Sequence, residues 1–237
     1  MAPALSVVVP ARNESARIVR TVQRITRELR AAGLAGEIEV IVVDDRGTDG
    51  TGALAEAARA RVLVHEKNRG KGAAVRAGKR AATAHLRLFC DADLSAPPEE
   101  FGRLRAAVEA GADVAIGSRV GEGAAILRPW RQRRVLLSCT CNTLTRALLP
   151  GIGDNQGGFK LFTEAAVARI LPLARLDRYA FDVELPVIAR AQSLRVAEVP
   201  VRWAAPDASS LRLALDGARM LADLARGVRT RAGGGYR

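Results

Sequence analysis

Apolar runs of strand length alternate with amphipathic segments along the first half of this chain. The strand-length runs cover residues 5–10, 37–43, 62–65, 86–90 and 114–117. Segments with helical spacing of apolar residues, or with helix start signals, lie between them at 14–32, 49–60, 71–84 and 97–110. Strands that alternate with helices predict an α/β fold, in which helices cover both faces of a mostly parallel sheet.

The pattern changes after residue 119. A Gly-rich loop at 121–123 precedes predicted helices at 135–149, 164–171 and 181–191 and extended segments at 156–162 and 196–203. Residues 209–229 carry one apolar stripe and one stripe of alternating charge, which predicts an amphipathic helix. The sequence therefore predicts a domain at 1–205, a C-terminal amphipathic helix at 206–231 and a disordered, Gly-rich tail at 232–237.

The charge of the chain indicates anionic partners. Its 237 residues include 37 Lys and Arg against 25 Asp and Glu, a net charge of +12, which suits nucleic acid, a membrane surface or phosphorylated substrates. Only four of the basic residues are Lys, and an Arg-rich, Ala-rich composition also fits a bias in the coding DNA. Aromatic residues make up 4% and no nucleic-acid-binding motif is present, so we expect no nucleic-acid partner.

Cysteine usage and hydropathy suggest where the protein acts. Its three cysteines, Cys90, Cys139 and Cys141, fit neither a disulfide framework nor a Cys–His metal site, which favours a reducing compartment. No apolar run approaches the roughly 20 residues that span a bilayer, and the first residues lack the positive leader of a signal peptide. We expect a cytoplasmic protein that can contact the inner face of the cell membrane.

Two acidic pairs follow predicted strands. Asp91 and Asp93 lie one residue apart, so in an extended segment their side chains point to the same side. Such like charges repel unless a cation lies between them, and a hard divalent metal with phosphate oxygens fits that need. A polar strand end is the alternative interpretation. Asp44 and Asp45 follow the strand at 37–43 in the same way.

These acids belong to segments that converge. In a parallel α/β sheet, ligands bind beyond the carboxyl ends of the strands, and residues 10–14, 44–45, 91–93 and 118–119 all follow predicted strands. The Gly-rich segment 68–74 lacks the spacing of a P-loop, and no G-x-G-x-x-G occurs. The sequence therefore predicts a site for a nucleoside diphosphate with Mg²⁺ or Mn²⁺, in which Asp44 or Asp45 accepts hydrogen bonds from the base or ribose.

The same segments resemble the ordered signature of family 2 glycosyltransferases with the GT-A fold. The motifs are Val7-Val-Val-Pro-Ala-Arg-Asn-Glu14, Val42-Val-Asp-Asp45, Asp49-Gly-Thr51, Asn68-Arg-Gly-Lys-Gly72, Asp91-Ala-Asp93 and Gly117-Ser-Arg119. The segment Asp154-Asn-Gln-Gly-Gly-Phe-Lys-Leu-Phe162 is similar to the branch that acts on polyprenyl phosphates, which includes dolichyl-phosphate glucosyltransferases and mannose synthases. The resemblance covers about residues 5–203.

The resemblance implies inverting transfer of a hexose from UDP-glucose or GDP-mannose to polyprenyl phosphate. It places Asp91 and Asp93 at a Mg²⁺ or Mn²⁺ ion. The implied donor-binding residues are Pro10, Ala11, Arg12, Glu14, Asp44, Asp45, Lys71, Asp91 and Ala92. The implied catalytic residues are Asp93, Asp154, Gln156, Arg119 and Arg133, with the two arginines on the acceptor phosphate. From the residues alone, Lys71 is better explained as a solvated helix start.

Some positions depart from the family pattern. Arg12 stands where the family usually has an aromatic residue, and Ser95 stands where mannose synthases tend to have Gln.

A GT-A transferase with a soluble acceptor, such as a phosphorylated metabolite or a polysaccharide precursor, is the alternative function. The C-terminal helix either packs on the domain or lies on a membrane surface, where apolar residues and arginines would anchor it.

Overall fold

The computed structural model of the protein describes residues 3–34, 36–128, 149–154, 157–205 and 213–236. The strands are β1 Leu5–Ala11, β2 Ile38–Asp44, β3 Arg61–Val64, β4 Leu86–Cys90, β5 Val114–Ser118, β6 Ala125–Arg128, β7 Phe159–Thr163, β8 Val196–Pro200 and β9 Arg202–Ala204. The helices are α1 Ile18–Ala31, α2 Thr51–Ala57, α3 Lys71–Ala81, α4 Phe101–Glu109, α5 Glu164–Ile170, α6 Phe181–Ala191 and α7 Leu213–Ala232, and a 3₁₀ turn at Pro98–Glu100 precedes α4.

The main sheet has the strand order β3-β2-β1-β4-β7-β5-β8 within the described residues. Neighbouring strands run parallel except at β7, which is antiparallel to both β4 and β5. Val7, Val8 and Val9 of the interior strand β1 are fully buried, as expected for a sheet with both faces covered. The predicted mostly parallel α/β fold is confirmed.

The extended segment predicted at 196–203 is two strands in two sheets. β8 pairs with β5 up to Pro200, whereas β9 pairs with β6 in a second, two-stranded sheet. Pro200 has no N–H to donate, and the next N–H, that of Val201, bonds to the Ser118 carbonyl at 2.9 Å. The chain then leaves the main sheet, and β9 brings Trp203 toward the carboxyl end of β5.

Helix α1 has the predicted apolar stripe but starts later than predicted. Ile18, Val22, Ile25 and Leu29 are buried at the expected spacing. The residues before Ile18 form turns, and two of their N–H groups bond to side chains at the start of α2: Glu14 N donates to Thr51 Oγ1 at 2.8 Å, and Ser15 N donates to Asp49 Oδ2 at 2.9 Å. These bonds tie the end of β1 to the start of α2.

The C-terminal tail differs from the predicted disorder. Tyr236 is buried; its hydroxyl donates to Glu184 Oε1 at 3.0 Å, and its carbonyl accepts from Gln192 Nε2 at 2.8 Å. An aromatic ring that reaches α6 therefore orders a segment whose glycines suggest disorder.

Within the described ranges, no helix combines the length and the apolarity that a membrane span needs. The helix predicted at 135–149 lies outside the described residues except for its last position.

Candidate active site

The acids after β2 and β4 are linked by the loop that enters α3. The Asp45 carboxylate accepts from Arg69 N at 2.8 Å and from Gly70 N at 2.7 Å. The next residue, Lys71, places its Nζ 2.7 Å from Asp91 Oδ1. Consecutive residues of one loop therefore contact carboxylates from two strand ends, and the predicted convergence of these strand ends is present in the fold.

Asp44 and Asp45 have different surroundings. Both are buried, but Asp45 has three donors, because His65 Nδ1 lies 2.8 Å from Oδ1 in addition to the two loop N–H groups. Asp44 Oδ1 accepts from Gly47 N at 2.7 Å, and no further donor to this carboxylate occurs in the described part of the chain. Of the two, Asp44 therefore has the greater capacity left for a ligand.

Asp91 and Asp93 lie beyond β4 as predicted. Asp93 Oδ1 accepts from Ser95 N at 2.9 Å, which fixes the turn after the motif. Asp91 Oδ1 is buried and, apart from its ion pair with Lys71, has no aligned hydrogen-bond donor among the described residues. Burial raises the pKa of Asp91 to about 6; the Lys71 ammonium opposes this rise and the Asp93 carboxylate adds to it.

The interpretation of Lys71 as a solvated helix start is wrong. Its side chain is only 24% exposed, pairs with Asp91, and places its ammonium 5.5 Å from the centre of the Phe89 ring. Burial disfavours the charge, but the carboxylates of Asp91 and Asp182 outweigh it and raise the pKa of Lys71 above its ordinary value. Lys71 is therefore a fixed cation beside the acidic pair.

Glu14 lies in the same acidic field. Burial raises its pKa; Arg17, whose Nε is 2.9 Å from Glu14 Oε2, opposes the rise, and Asp93 and Asp91 add to it. The other predicted donor residues follow β1 and β4. Pro10 and Ala11 end β1, with Ala11 opposite Asp44, and Arg12 is exposed. Ala92 is buried, and its carbonyl accepts from Thr21 Oγ1 at 2.6 Å.

The carboxylates fit a divalent cation that is also held by a ligand's oxygens. No group of three or more His, Cys, Asp or Glu side chains suited to a metal occurs among the described residues. Asp91 and Asp93 supply two carboxylates, and the Lys71 ammonium, 2.7 Å from Asp91 Oδ1, is the one cation paired with them among the described residues. Mg²⁺ in particular is commonly bound by one or two carboxylates together with substrate phosphates and water.

Arg119 and Asp154 form a buried pair beyond β5. Arg119 Nε and Nη2 donate to the two Asp154 oxygens at 2.6 and 2.7 Å, and Arg119 N donates to Oδ2 at 3.0 Å. The guanidinium also lies 5.6 Å from the centre of the Trp203 ring. Two predicted catalytic residues are thus in contact, whereas Gln156 and Arg133 lie outside the described residues.

Comparison with known proteins identifies the family. The sequence profile described as Glycosyl transferase family 2 matches residues 6–171. The chain belongs to glycosyl transferase family 2. The family prediction made from the ordered motifs is confirmed.

Relatives of this family 2 glycosyltransferase carry related names. It is 37% identical over 210 residues to a dolichyl-phosphate beta-glucosyltransferase of Trichomonas vaginalis, covering 83% of this chain and 62% of that protein. It is 35% identical over 224 residues to the Drosophila melanogaster dolichyl-phosphate beta-glucosyltransferase, covering 87% and 69%. It is 35% identical over 211 residues to the polyprenol monophosphomannose synthase of Mycolicibacterium smegmatis, covering 83% and 76%. The match thus spans less than two thirds of the Trichomonas protein.

Solved structures share the fold. Glucosyl-3-phosphoglycerate synthase of Mycobacterium tuberculosis superposes with a TM-score of 0.72 at 22% identity, covering 95% of this chain and 80% of that chain. The predicted GT-A architecture is confirmed.

Sequence reasoning misses three charged residues of this glycosyltransferase that support the site. Glu198 on β8 accepts from Gly153 N and Asp154 N, both at 2.8 Å, and from Ser118 Oγ at 2.6 Å. Lys160 on β7 and Asp182 on α6 form a second buried pair. The available signal is a charged residue inside an apolar strand, as in 196–201 and 159–162, because a buried charge needs a partner.

Proposed function

We propose that this glycosyltransferase transfers a hexose from a nucleotide sugar to polyprenyl phosphate, with inversion at the anomeric carbon. The observation that carries the proposal is the acidic edge beyond β2 and β4, where Lys71 pairs with the partly buried Asp91 carboxylate and Asp93 follows it. The dolichyl-phosphate and polyprenol names of its relatives support the acceptor class.

The two acids after β2 have different roles in donor binding. Asp44 accepts a hydrogen bond from the base or ribose, because its carboxylate has only the Gly47 N–H among the described donors. Asp45 instead holds the backbone of Arg69 and Gly70, so that Lys71 faces the diphosphate. UDP-glucose and GDP-mannose both fit this arrangement. The remaining residues that line the proposed donor site are Pro10, Ala11, Arg12, Glu14 and Ala92.

Asp91 and Asp93 would hold a divalent cation, Mg²⁺ or Mn²⁺. The structural neighbour from M. tuberculosis was crystallised with Mn²⁺ and UDP. When bound, such a cation neutralises charge on the departing diphosphate, which is worth several kcal/mol at the transition state. Lys71 adds a fixed positive charge of the chain's own on the same side of the site.

On the acceptor side, a phosphate oxygen attacks the anomeric carbon. The bond from that carbon to the acceptor oxygen forms while its bond to the diphosphate breaks, and the electron pair leaves with the nucleoside diphosphate. The attacking phosphate is already anionic, so no strong base is required. Arg119 and Arg133 bind this phosphate, since guanidinium groups match phosphate oxygens. Asp154 fixes Arg119, and Gln156 faces the sugar or acceptor.

A lipid acceptor implies peripheral contact with a membrane surface. Ile126 and Leu127 on β6 are more than half exposed, and the sequence that follows them contains Arg128, Arg131, Arg133 and Arg134. On α7, Arg226, Val228 and Arg229 are exposed. Apolar side chains flanked by arginines favour the surface of anionic lipids, at the inner face of the cell membrane.

The test uses the purified protein with Mn²⁺, polyprenyl phosphate in detergent, and radiolabelled UDP-glucose or GDP-mannose, followed by phase partition. We expect label in the organic phase only when polyprenyl phosphate is present. Label that remains wholly in the aqueous phase, in a product of an added phosphorylated small molecule, would favour the soluble acceptor. Absence of UDP and GDP binding in calorimetry would contradict the donor site itself.

A further inference from the structure

A fully buried lysine lies behind the acidic edge. Lys160 Nζ is 2.5 Å from Asp182 Oδ1 and 2.8 Å from the Gly157 carbonyl oxygen. Lys160 belongs to β7, and Asp182 is the second residue of α6. Its ammonium therefore joins a strand of the main sheet, the start of a helix and the glycine pair that precedes β7.

The glycine pair forms a wall against Asp91. The Gly158 carbonyl accepts from Asp91 N at 3.1 Å. A Cβ added at Gly158 would lie 2.0 Å from Asp91 Oδ2, so only glycine leaves room for this carboxylate. Because Lys160 bonds to the Gly157 carbonyl, it holds the segment that defines where the Asp91 carboxylate lies.

The second connection runs through Lys71. The ammonium groups of Lys71 and Lys160 lie 5.5 and 5.9 Å from the centre of the same ring, that of Phe89. Lys71 interacts electrostatically with both Asp91 and Asp182. Charges of alternating sign thus pass from Asp91 through Lys71 and Asp182 to Lys160, and these four charges sum to zero. Asp182 is the one member that faces both lysines.

Stability does not account for this pair. Two buried charges lose their hydration, and well-packed apolar residues of similar volume often stabilise a fold as well or better. Unlike an apolar pair, a hydrogen-bonded ion pair also fixes the relative orientation of the groups that it joins. We propose that Lys160 and Asp182 are positioning residues, which fix Gly157–Gly158 and Lys71 around Asp91 before the cation and nucleotide bind. This inference rests on the proposed donor site.

The test compares the wild-type protein with the variant Lys160→Met/Asp182→Asn, which removes both charges together and so leaves neither unpaired. Calorimetry measures binding of UDP and of GDP at increasing Mn²⁺, and thermal unfolding checks the fold. We expect the Mn²⁺ concentration for half-maximal nucleotide binding to rise by about tenfold or more, as for other residues that orient metal ligands. Lys79→Met is the matched control, since it also replaces a fully buried lysine beside β4 but one that bonds to neither Gly157 nor Asp182.

Each outcome distinguishes the claims. A folded double variant that binds nucleotide at the wild-type Mn²⁺ concentration would overturn the positioning role. A wild-type protein that binds neither nucleotide would contradict the proposed function instead. Equal weakening in Lys79→Met would show a general effect of the core and also count against the inference. If the double variant does not fold, Asp182→Glu, which keeps the charge but displaces the carboxylate, is measured in the same way, with the same expected rise and the same contradicting result.

Discussion

Arg119 and Asp154 meet in a bidentate ion pair at the end of β5. The two bonds measure 2.6 and 2.7 Å, the Asp154 carboxylate is fully buried, and the Arg119 side chain is 13% exposed. Two parallel bonds fix the plane of a guanidinium as well as its position. Glu198, which accepts from Asp154 N, fixes the backbone beneath the carboxylate. Arg119 is therefore held in one orientation.

Replacing Arg119 by lysine tests whether the bidentate geometry matters. Arg119→Lys keeps the positive charge but cannot bond both Asp154 oxygens in the same plane. We expect a loss of about 1–3 kcal/mol in the free energy of unfolding, typical of a lost hydrogen bond to a charged group. We also expect a raised KM for polyprenyl phosphate with the KM for the nucleotide sugar unchanged.

The control for this substitution is Arg105→Lys. Arg105 pairs with Glu109 at 2.7 Å on an exposed face of α4, and such pairs are worth about 0.3–0.5 kcal/mol. Urea unfolding and steady-state kinetics of both variants are the measurements. If the Arg119 variant lost affinity for the donor rather than for the acceptor, its assignment to the acceptor phosphate would be wrong.

Asp44 and Asp45 should respond oppositely to the same change. Asp45→Asn keeps one oxygen, so its NH₂ group faces either Gly70 N or the pair of Arg69 N and His65 Nδ1. Leaving a donor unsatisfied in this partly buried site costs about 1–3 kcal/mol, so we expect a clear loss of stability. Asp44→Asn keeps an acceptor for Gly47 N and should retain stability while weakening nucleotide binding. Thermal unfolding and UDP titration of both variants separate the roles; reversed results would exchange the two assignments.

Asp93 is expected to matter for turnover and little for stability. Asp93→Asn keeps an oxygen that can accept from Ser95 N, so the turn is retained. A carboxylate that helps bind a cation should supply several kcal/mol at the transition state, and we expect turnover to fall by about a hundredfold or more. Activity is measured across a Mn²⁺ series, with Glu109→Gln on an exposed helix as control. Near-normal turnover in Asp93→Asn would remove Asp93 from the cation site.

Local sequence signals predict the sheet and the acidic edge. The spacing of apolar residues predicts the burial of Val7 to Val9 and of the apolar stripe of α1. Strand geometry predicts that the side chains of Asp91 and Asp93 point to the same side. The contacts of the turn before α1 could not be predicted, because the acceptors for the N–H groups of residues 14 and 15 are Thr51 and Asp49. Those partners come from another part of the chain.

The partners of buried charges are the least predictable part of the site. Lys160 and Asp182 are 22 residues apart, and Glu198 is 44 residues from Asp154. No local pattern relates such positions, since their contact depends on how β7, α6 and β8 pack. For the same reason Lys71 is misjudged from sequence: a helix start is normally solvated, and only the tertiary fold brings Asp91 to it.

Gly158 should tolerate no side chain. In Gly158→Ala the new Cβ would lie 2.0 Å from Asp91 Oδ2, so the carboxylate must move out of its position. Overpacking of this kind costs about 1–3 kcal/mol, and we expect cation-dependent nucleotide binding to weaken as well. Gly102→Ala on α4 is the control, because no atom lies within 4 Å of its added Cβ. It should gain up to about 1 kcal/mol from helix propensity. Calorimetry and urea unfolding of both variants are the measurements. Unaltered nucleotide binding by Gly158→Ala would contradict the role of Gly158 in positioning the Asp91 carboxylate.

Lys79 should reduce the stability of the protein near neutral pH. It is fully buried, its Nζ lies 3.3 Å from the Arg87 carbonyl oxygen and 3.5 Å from the centre of the Phe162 ring, and no carboxylate pairs with it in the described ranges. Burial, with the nearby charges of Arg87 and Lys160, lowers the pKa of Lys79 well below its ordinary value of 10.5. Lys79→Met keeps the chain length without the charge, and we expect it to raise stability by about 1–3 kcal/mol.

The pH dependence of this gain has a definite sign. Between the folded pKa of Lys79 and 10.5, the unfolded chain binds a proton that the folded protein lacks, so wild-type stability from this group rises with pH by up to about 1.4 kcal/mol per pH unit. The methionine variant lacks this contribution. Its advantage over wild type should therefore shrink as the pH rises toward 10.5, as measured by urea unfolding of both proteins over an alkaline pH series. An advantage that stayed constant or grew over this range would mean that Lys79 keeps its proton in the folded state.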